Sequence, residues 1–444
     1  MTWGADICRI LAAAIQGAEA GEAVRIHVSR ETNRLHIDQL QVNLDDYKRI
    51  LVMAVGKASL PMVESITDML DDRLTAGWLI TKDGYLDRAK YTHPARVKLI
   101  EAGHPIPDSR NVTAGKEKLS AARNIERDDL VFLLLSGGGS ALMMHPAGEI
   151  TLEDTQGLTT LLLRCGAPIS EINTIRKHCD DFKGGGLARL LFPARVITLI
   201  LSDVLGDSVD MIASGPTTAD PTTFAAAWEI LEKFQIADQV PIRVRTHLLS
   251  GLEGKIAETL KPGDLALGNV THIVIGNNRT AINSAEEAAK YLGFSTRILT
   301  SHLQGEAAQT GRNLAEEAIA ILSTPNAPPR PTCLMAGGET TVTIHGDGTG
   351  GRNQELALGA VTSLAGASQI VFVALATDGG DGPTDAAGAI VTHETYAYGQ
   401  SLGLDPLAYL QRNDSYHYFE RLDDLIKTGP TSTNVNDLVF FFSV

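Results

Sequence analysis

Runs such as RILVMAV (49–55), DLVFLLLS (129–136), RVITLILS (195–202) and IVFVALA (370–376) are predominantly apolar, with no polar residue at every second place. A strand made from such a run must be covered on both faces. GWLIT (77–81), THIVIGN (271–277), STRILTS (295–301) and CLMAG (333–337) also read as strands, and most of the whole set lack a period-2 alternation. Amphipathic helical patterns lie among them, at 58–72, 109–124, 151–164, 222–235, 279–292, 303–323 and 353–366. Doubly buried strands alternating with helices commit a chain to α/β layers with mainly parallel or mixed sheets flanked by helices.

At 444 residues the chain exceeds one ordinary core, and two domains are expected. The proline-rich STPNAPPRP (323–331) is the clearest linker, because its prolines cannot extend the helix before it. A softer break lies at 236–270, where polar and short helical pieces follow a long helix. We place the domain boundary there, giving domains 1–236 and 237–444. The terminal DLVFFFSV reads as a strand that could return to complete the first domain's sheet.

The net charge of −15 argues against nucleic acid or an anionic membrane as partner. No apolar run approaches the length of a membrane span, and MTWGADICRI lacks the basic start of a secretory signal. The four cysteines contain no C-x-x-C pair, which suits reduced thiols and a cytoplasmic setting. A homo-oligomer is compatible with all of this.

Chemistry gathers where apolar runs end. In LLLSGGGSALM (133–143) a strand stops at Ser136, Gly137, Gly138 and Gly139 follow, and a helix begins near Ser140. One glycine would make the turn; three in a row let backbone N–H groups converge on an anion at a helix N-terminus. Neither G-x-S-x-G nor a P-loop occurs; AVGKAS (54–59) places Lys57 after a strand but lacks the upstream glycine. A lysine there is costly unless it faces a ligand.

Asp203 follows another strand in LSDVLGDSVD (201–210). HGDGTGGRNQELAL (345–358) sets Arg352 and Asn353 at a helix start, where a cation opposes the helix dipole and so points to a ligand role, gripping a carboxylate or phosphate. Gly346, Gly348 and Gly351 also match G-x-G-x-x-G after the strand-like TTVTIH, with Asp378 further on, which keeps an NAD(P)-dependent reductase as the alternative. ATDGGDGPTDAAGAI (376–390) offers Asp378 at the strand end, Asp381 as a metal candidate and Asp385 as a loop-shaping residue.

Together these stretches resemble the glycerate 2-kinases, a family whose members were once often labelled hydroxypyruvate reductases. The resemblance rests on AVGKAS, LLSGGGSALM, INTIRKHCDDFKGGGLA, SDVLGDSVDMIASGPT, VIGNN, GGETTVTIHGDGTGGRNQELAL, ATDGGDGPTDAAGA and PTSTNVND, in order from residue 54 to 437. It implies two α/β domains, the first Rossmann-like, with the active site in the cleft between them. It also implies ATP-dependent phosphorylation of the 2-hydroxyl of D-glycerate with Mg²⁺, with hydroxypyruvate reduction as the alternative. Lys57 and Arg352 fall at the family's key cationic positions. Asp203 and Asp378 are expected as base or metal ligand, Asp381 as a further metal ligand. Ser136 to Ser140, Asn353, Asn434 and Asn436 are expected to bind substrate or phosphate.

Overall fold

The computed structural model describes residues 3–86, 96–122, 124–367 and 369–444; residue 123, inside the expected 109–124 helix, lies outside them. The chain divides into two compact units, one of residues 23–275 and one of residues 276–444 joined by 1–22.

The 23–275 unit opens with a small antiparallel sheet, β1 (Val28–Glu31), β2 (Arg34–Ile37) and β3 (Leu40–Asn43). Its main sheet holds β4 (Arg49–Val55), β5 (Ala76–Lys82), β6 (Val97–Ala102), β7 (Asp129–Leu135), β8 (Arg195–Leu201) and β9 (Val270–Gly276) in the order β6-β5-β4-β7-β8-β9. Pairing is parallel from β6 through β8. This is the doubly wound order, in which the chain runs outward from β4 in one direction and then restarts at β7 in the other. Every residue of β7 is buried. Leu51, Met53, Val131 and Leu133 point into one apolar cluster, and Val52, Ala54, Phe132 and Leu134 are buried outside it. Burial on both faces is why these strands show no alternation.

Between β7 and β8, and between β8 and β9, helices Leu152–Arg164, Ile169–His178, Phe224–Lys233 and Ile242–Leu252 form a layer with its own core around Leu162, Ile175, Leu231 and Leu248. The expected boundary at 236 therefore differs from the observed division. The 236–270 stretch contributes to this helical layer: Ile236, Val240, Val244 and Leu248 are buried in its core, and Leu260 and Ala266 pack beside Ala188. The chain then supplies β9 to the same sheet.

The second unit is built on β10 (Ser295–Leu303), β11 (Thr332–Gly338), β12 (Ile370–Ala376), β13 (Gly388–Thr392), β14 (Leu425–Ile426) and β15 (Asp437–Ser443), in the order β10-β11-β15-β12-β13-β14. Only β10 and β11 run parallel; the other pairs are antiparallel, so the sheet is mixed. The last strand does not return to the first unit but inserts between β11 and β12. Its three phenylalanines alternate. Phe441 joins the cluster under helices Ala307–Leu322 and Arg352–Leu364, stacking edge-on with Phe372 at 4.7 Å. Phe442 meets Phe294, which in turn meets Trp3 of the N-terminal helix Trp3–Gly17. That helix packs on helix Asn278–Tyr291, so closely that a Cβ at Gly17 would fall 1.9 Å from Ser284 Oγ. The prolines of 323–331 lead from helix Ala307–Leu322 into β11 within this one unit and mark no domain boundary. Among the described residues no helix is long and apolar enough to cross a membrane.

Candidate active site

In a doubly wound sheet the reversal of strand order opens a crevice past the carboxyl ends of the two central strands. Those strands are β4 and β7, and they are followed by Gly56-Lys57 and by Ser136-Gly-Gly-Gly-Ser140. The two turns are tied together. Lys57 N–H donates to Gly137 O at 2.9 Å, and Ala58 N–H donates to Ser136 Oγ at 3.0 Å. Gly56 must be glycine: its φ is +129°, and a Cβ there would lie 2.2 Å from Ser136 Oγ. Ser136 thus locks two turns together.

Gly138 has φ +83° and precedes the short helix Gly139–Leu142. A Cβ on it would sit 2.9 Å from His104 Nε2 and 3.6 Å from Lys57 Cγ, so lysine, histidine and glycine turn converge. The N–H groups of Gly137 and Gly138 have no hydrogen-bond partner among the described residues. They are therefore available to an anion. Ser140 Oγ lies 2.7 Å from Ser214 Oγ, and Ser214 donates to Asn173 Oδ1 at 3.2 Å. Ala213, Ser214 and Gly215 all have positive φ, a sharp fold that brings Ala213 against Gly139. Asp203 stands two residues past β8, the strand next to β7. Lys57, Ser136 to Ser140 and Asp203 therefore lie along one end of the first sheet.

The second unit gathers its own charged sheet end. Gly338 at the end of β11 pairs with Asp437 at the start of β15, and Ala376 at the end of β12 pairs with Asp437 from the other side. Arg352 opens helix Arg352–Leu364 and reaches this point. Its Nε and Nη2 donate to Asp437 at 2.6 and 3.1 Å, and its Nη1 donates to Glu339 at 2.5 Å. Burial works against the charge of Arg352, but Asp437 and Glu339 outweigh it and hold the guanidinium firmly protonated. The cation that opposes the helix dipole is thus balanced by two carboxylates.

Asp381 turns out to have a structural task. Oδ1 accepts from Asn353 N–H at 3.1 Å and Oδ2 from Gln354 N–H at 2.9 Å, so both oxygens cap the helix that Arg352 begins. Both oxygens of this expected metal ligand are thus engaged by the start of the helix. Asp378 accepts from Gly380 N–H at 3.1 Å and is near enough to Asp437 to raise its pKa further, burial being the larger cause. Asn434 and Asn436 are buried in the loop before β15, where Asn436 (φ +66°) presents its carbonyl to Thr377. Asn353 is fully buried. Arg352, Asn353, Asp378, Asp381 and Asn436 thus gather at this sheet end. Asp385 pairs with Lys427 at 2.9 Å and Tyr416 at 2.7 Å, shaping the loop as expected.

The 346–351 glycines do not form a dinucleotide turn. TTVTIH, expected as the strand before them, makes one bridge, Glu306 with Thr341, and no strand. A Cβ at Gly346 or Gly348 would lie 2.4 or 2.5 Å from the carbonyl oxygen of Arg412, and one at Gly351 would lie 2.3 Å from the Asp381 carboxyl carbon. These glycines let a loop pack tightly on its neighbours.

Sequence reasoning missed His104, Asn173, Ser214, Glu339 and Asp437. For His104 the signal was present: it follows KLIEAG, a half-apolar run that forms β6. Asp437 stood at the head of an apolar run but was read as part of the strand alone.

A doubly wound sheet carrying a lysine and a glycine turn at its switch point, in one chain with a mixed-sheet unit whose end holds an acid-balanced arginine, defines a two-unit α/β protein made to hold anionic small molecules. The domain of unknown function DUF4147 matches residues 6–249, and the MOFRL family matches residues 332–437. A glycerate 2-kinase of Pyrococcus horikoshii is 42% identical over 97% of this chain and 95% of its own length. A D-glycerate 2-kinase of Thermotoga maritima is 39% identical over 90% of this chain and 91% of its own. The crystal structure of a Thermotoga maritima glycerate kinase superposes with a TM-score of 0.86 at 36% identity, covering all of both chains. This chain belongs to the glycerate kinase family.

Proposed function

We propose that the protein transfers the terminal phosphoryl group of ATP to the 2-hydroxyl of D-glycerate, giving 2-phospho-D-glycerate and ADP. The observation that carries this reading is the lysine and the glycine amides, unpartnered among the described residues, at the β4/β7 switch point, in a chain so similar to glycerate 2-kinases over nearly its whole length. Phosphoryl transfer asks a protein chiefly to position two anions and to neutralise charge. Lys57 supplies a positive charge where the glycine amides would hold phosphate oxygens. Arg352 supplies a second, fixed in direction by Asp437 and Glu339. Asp203 and Asp378 are the carboxylates we assign to accepting the hydroxyl proton or to holding Mg²⁺.

Among the described residues no group of three or more His, Cys, Asp or Glu forms a cage for a metal. That fits Mg²⁺ all the same, because it is usually held by one or two carboxylates together with phosphates and water. The ion would neutralise phosphate charge when bound. Asn434 and Asn436 would present polar groups to the substrate, while the fully buried Asn353 would support the start of the Arg352 helix. A cytoplasmic location belongs to the proposal and is supported by the four cysteines being free thiols.

The test is direct. The purified protein is incubated with ATP, Mg²⁺ and D-glycerate; ADP is measured by a coupled assay and the product by phosphorus NMR. ADP formation with phosphate on C2 is expected. Absence of ADP above the no-glycerate background, or NADH consumption with hydroxypyruvate in the absence of ATP, would overturn the reading.

A further inference from the structure

Arg176, on helix Ile169–His178, has no function in the scheme above, yet its surroundings are unusual. It lines a small cavity of about 30 Å³ with Ser140, Met144, Leu158, Asp180 and Lys183. Ser140 is the last residue of the glycine turn, so the cavity begins where the anion cradle ends. The guanidinium is not paired with any carboxylate among the described residues; its polar contact is a 3.5 Å approach of Nη2 to Thr159 Oγ1. The nearest acid is already engaged: Asp180 accepts from Lys183 Nζ at 2.9 Å and from the backbone N–H groups of His145 and Phe182, each at 3.0 Å.

Two cations therefore share one occupied carboxylate. Burial pulls the pKa of Arg176 below its ordinary value, and burial with the nearby Arg176 charge does the same to Lys183. A half-buried cation without a counter-charge is destabilising unless something anionic joins it. Arg352, by contrast, already meets two carboxylates.

We propose that Arg176, with Ser140 and Lys183, forms the binding site for the carboxylate of the hydroxy-acid acceptor. The planar guanidinium fork matches a carboxylate in two-pronged contact. The small cavity, walled by Met144 and Leu158, suits a group of that size better than a polyphosphate chain. The inference rests on the phosphotransfer reading and refines it: the carboxylate belongs to Arg176, and Arg352 is left to the transferring group.

Binding of D-glycerate without nucleotide, measured by calorimetry, tests the site apart from turnover. Arg176→Met is expected to weaken it by about 10- to 100-fold, the usual worth of a charged hydrogen-bonded contact. Arg176→Lys is expected to fall between. In the coupled assay the Met variant should raise KM for D-glycerate with KM for ATP within about twofold. Its melting temperature without ligand should hold or rise, whereas loss of a purely structural arginine would lower it. Unchanged D-glycerate binding in the Met variant would overturn the proposal, as would a rise in KM for ATP alone, which would give the site to the nucleotide. If both variants fail to fold, the arginine is structural and the proposal is wrong. A wild-type protein that binds D-glycerate but releases no ADP would sink the kinase reading and leave the carboxylate site standing.

Discussion

A guanidinium held between two carboxylates stays charged at any pH a cell reaches and is aimed as firmly as a side chain can be. Arg352 is in that position, between Asp437 and Glu339. Lys57 is fixed at its backbone by Gly137 and lies against Gly138. Replacing Lys57 with Met, or Arg352 with Ala, should lower kcat by about a hundredfold or more, the usual loss when one charge-stabilising donor is removed from a reaction centre. Steady-state assays read this, with circular dichroism to show that the variants fold. Near wild-type turnover in both would refute the assigned roles.

Asp381 makes a separate prediction. Burial is the main cause that raises its pKa to about 7, the charge of Asp437 adds to it, and the Gln354 and Asn353 N–H groups pull the other way. An unfolded aspartate titrates near pH 4. Between about pH 4 and 7 the folded protein therefore holds a proton that the unfolded chain has released. The group's contribution to stability is fully present below about pH 4 and is lost as pH rises through about 7, by at most about 1.4 kcal/mol per pH unit. Asp381→Asn should remove this component. Denaturant unfolding at pH 5 and pH 8 should show the gap between wild type and variant moving in favour of Asn at the higher pH; a constant gap would mean that Asp381 does not titrate there.

At the scale of elements, the glycine turn after β7 shows how a motif and its setting divide the information. Its three glycines suggest an anion cradle, but nothing local revealed why the middle one cannot change. Gly138 is left-handed, and its missing Cβ leaves room for His104 from the end of β6 and for Lys57 from the end of β4. Gly138→Ala should cost about 1 to 2 kcal/mol in backbone strain alone and should impair phosphate binding more than it impairs folding. Melting temperature and KM for ATP, measured side by side, separate the two effects; a stable variant with unchanged KM would show that the turn does not hold phosphate. The glycines of 346–351 carry the opposite lesson. The same residue type at the spacing of a nucleotide motif serves packing against Arg412 and Asp381, which no local pattern could reveal.

For the whole molecule, the unexpected feature is that the chain's first helix belongs with its last third. Trp3–Gly17 packs on helix Asn278–Tyr291, and Trp3 and Phe294 continue the aromatic contacts of Phe442. Removing residues 1–17 should therefore destabilise the 276–444 unit while leaving the 23–275 unit nearly intact. Limited proteolysis followed by mass spectrometry would show early cuts in 276–444; early cuts in 23–275 instead would contradict the packing.

Most strand positions, the α/β class and the main charged turns could be read from the chain, because a doubly buried strand and a glycine turn leave signatures within ten residues. β6 and the small β1–β3 sheet could not, since their residues are partly exposed and mixed in character; β13 is largely buried but only five residues long. The domain boundary and the place of β15 were also out of reach. A polar stretch in a helical layer looks like a linker, and an apolar strand pairs equally well in any sheet with a gap for it. By itself the sequence determined which residues could carry charge at strand ends. Only the tertiary structure decided which charges are already matched, as in Arg352, and which, among the described residues, are not, as in Arg176, because a counter-charge is supplied by whichever part of the chain folds against it.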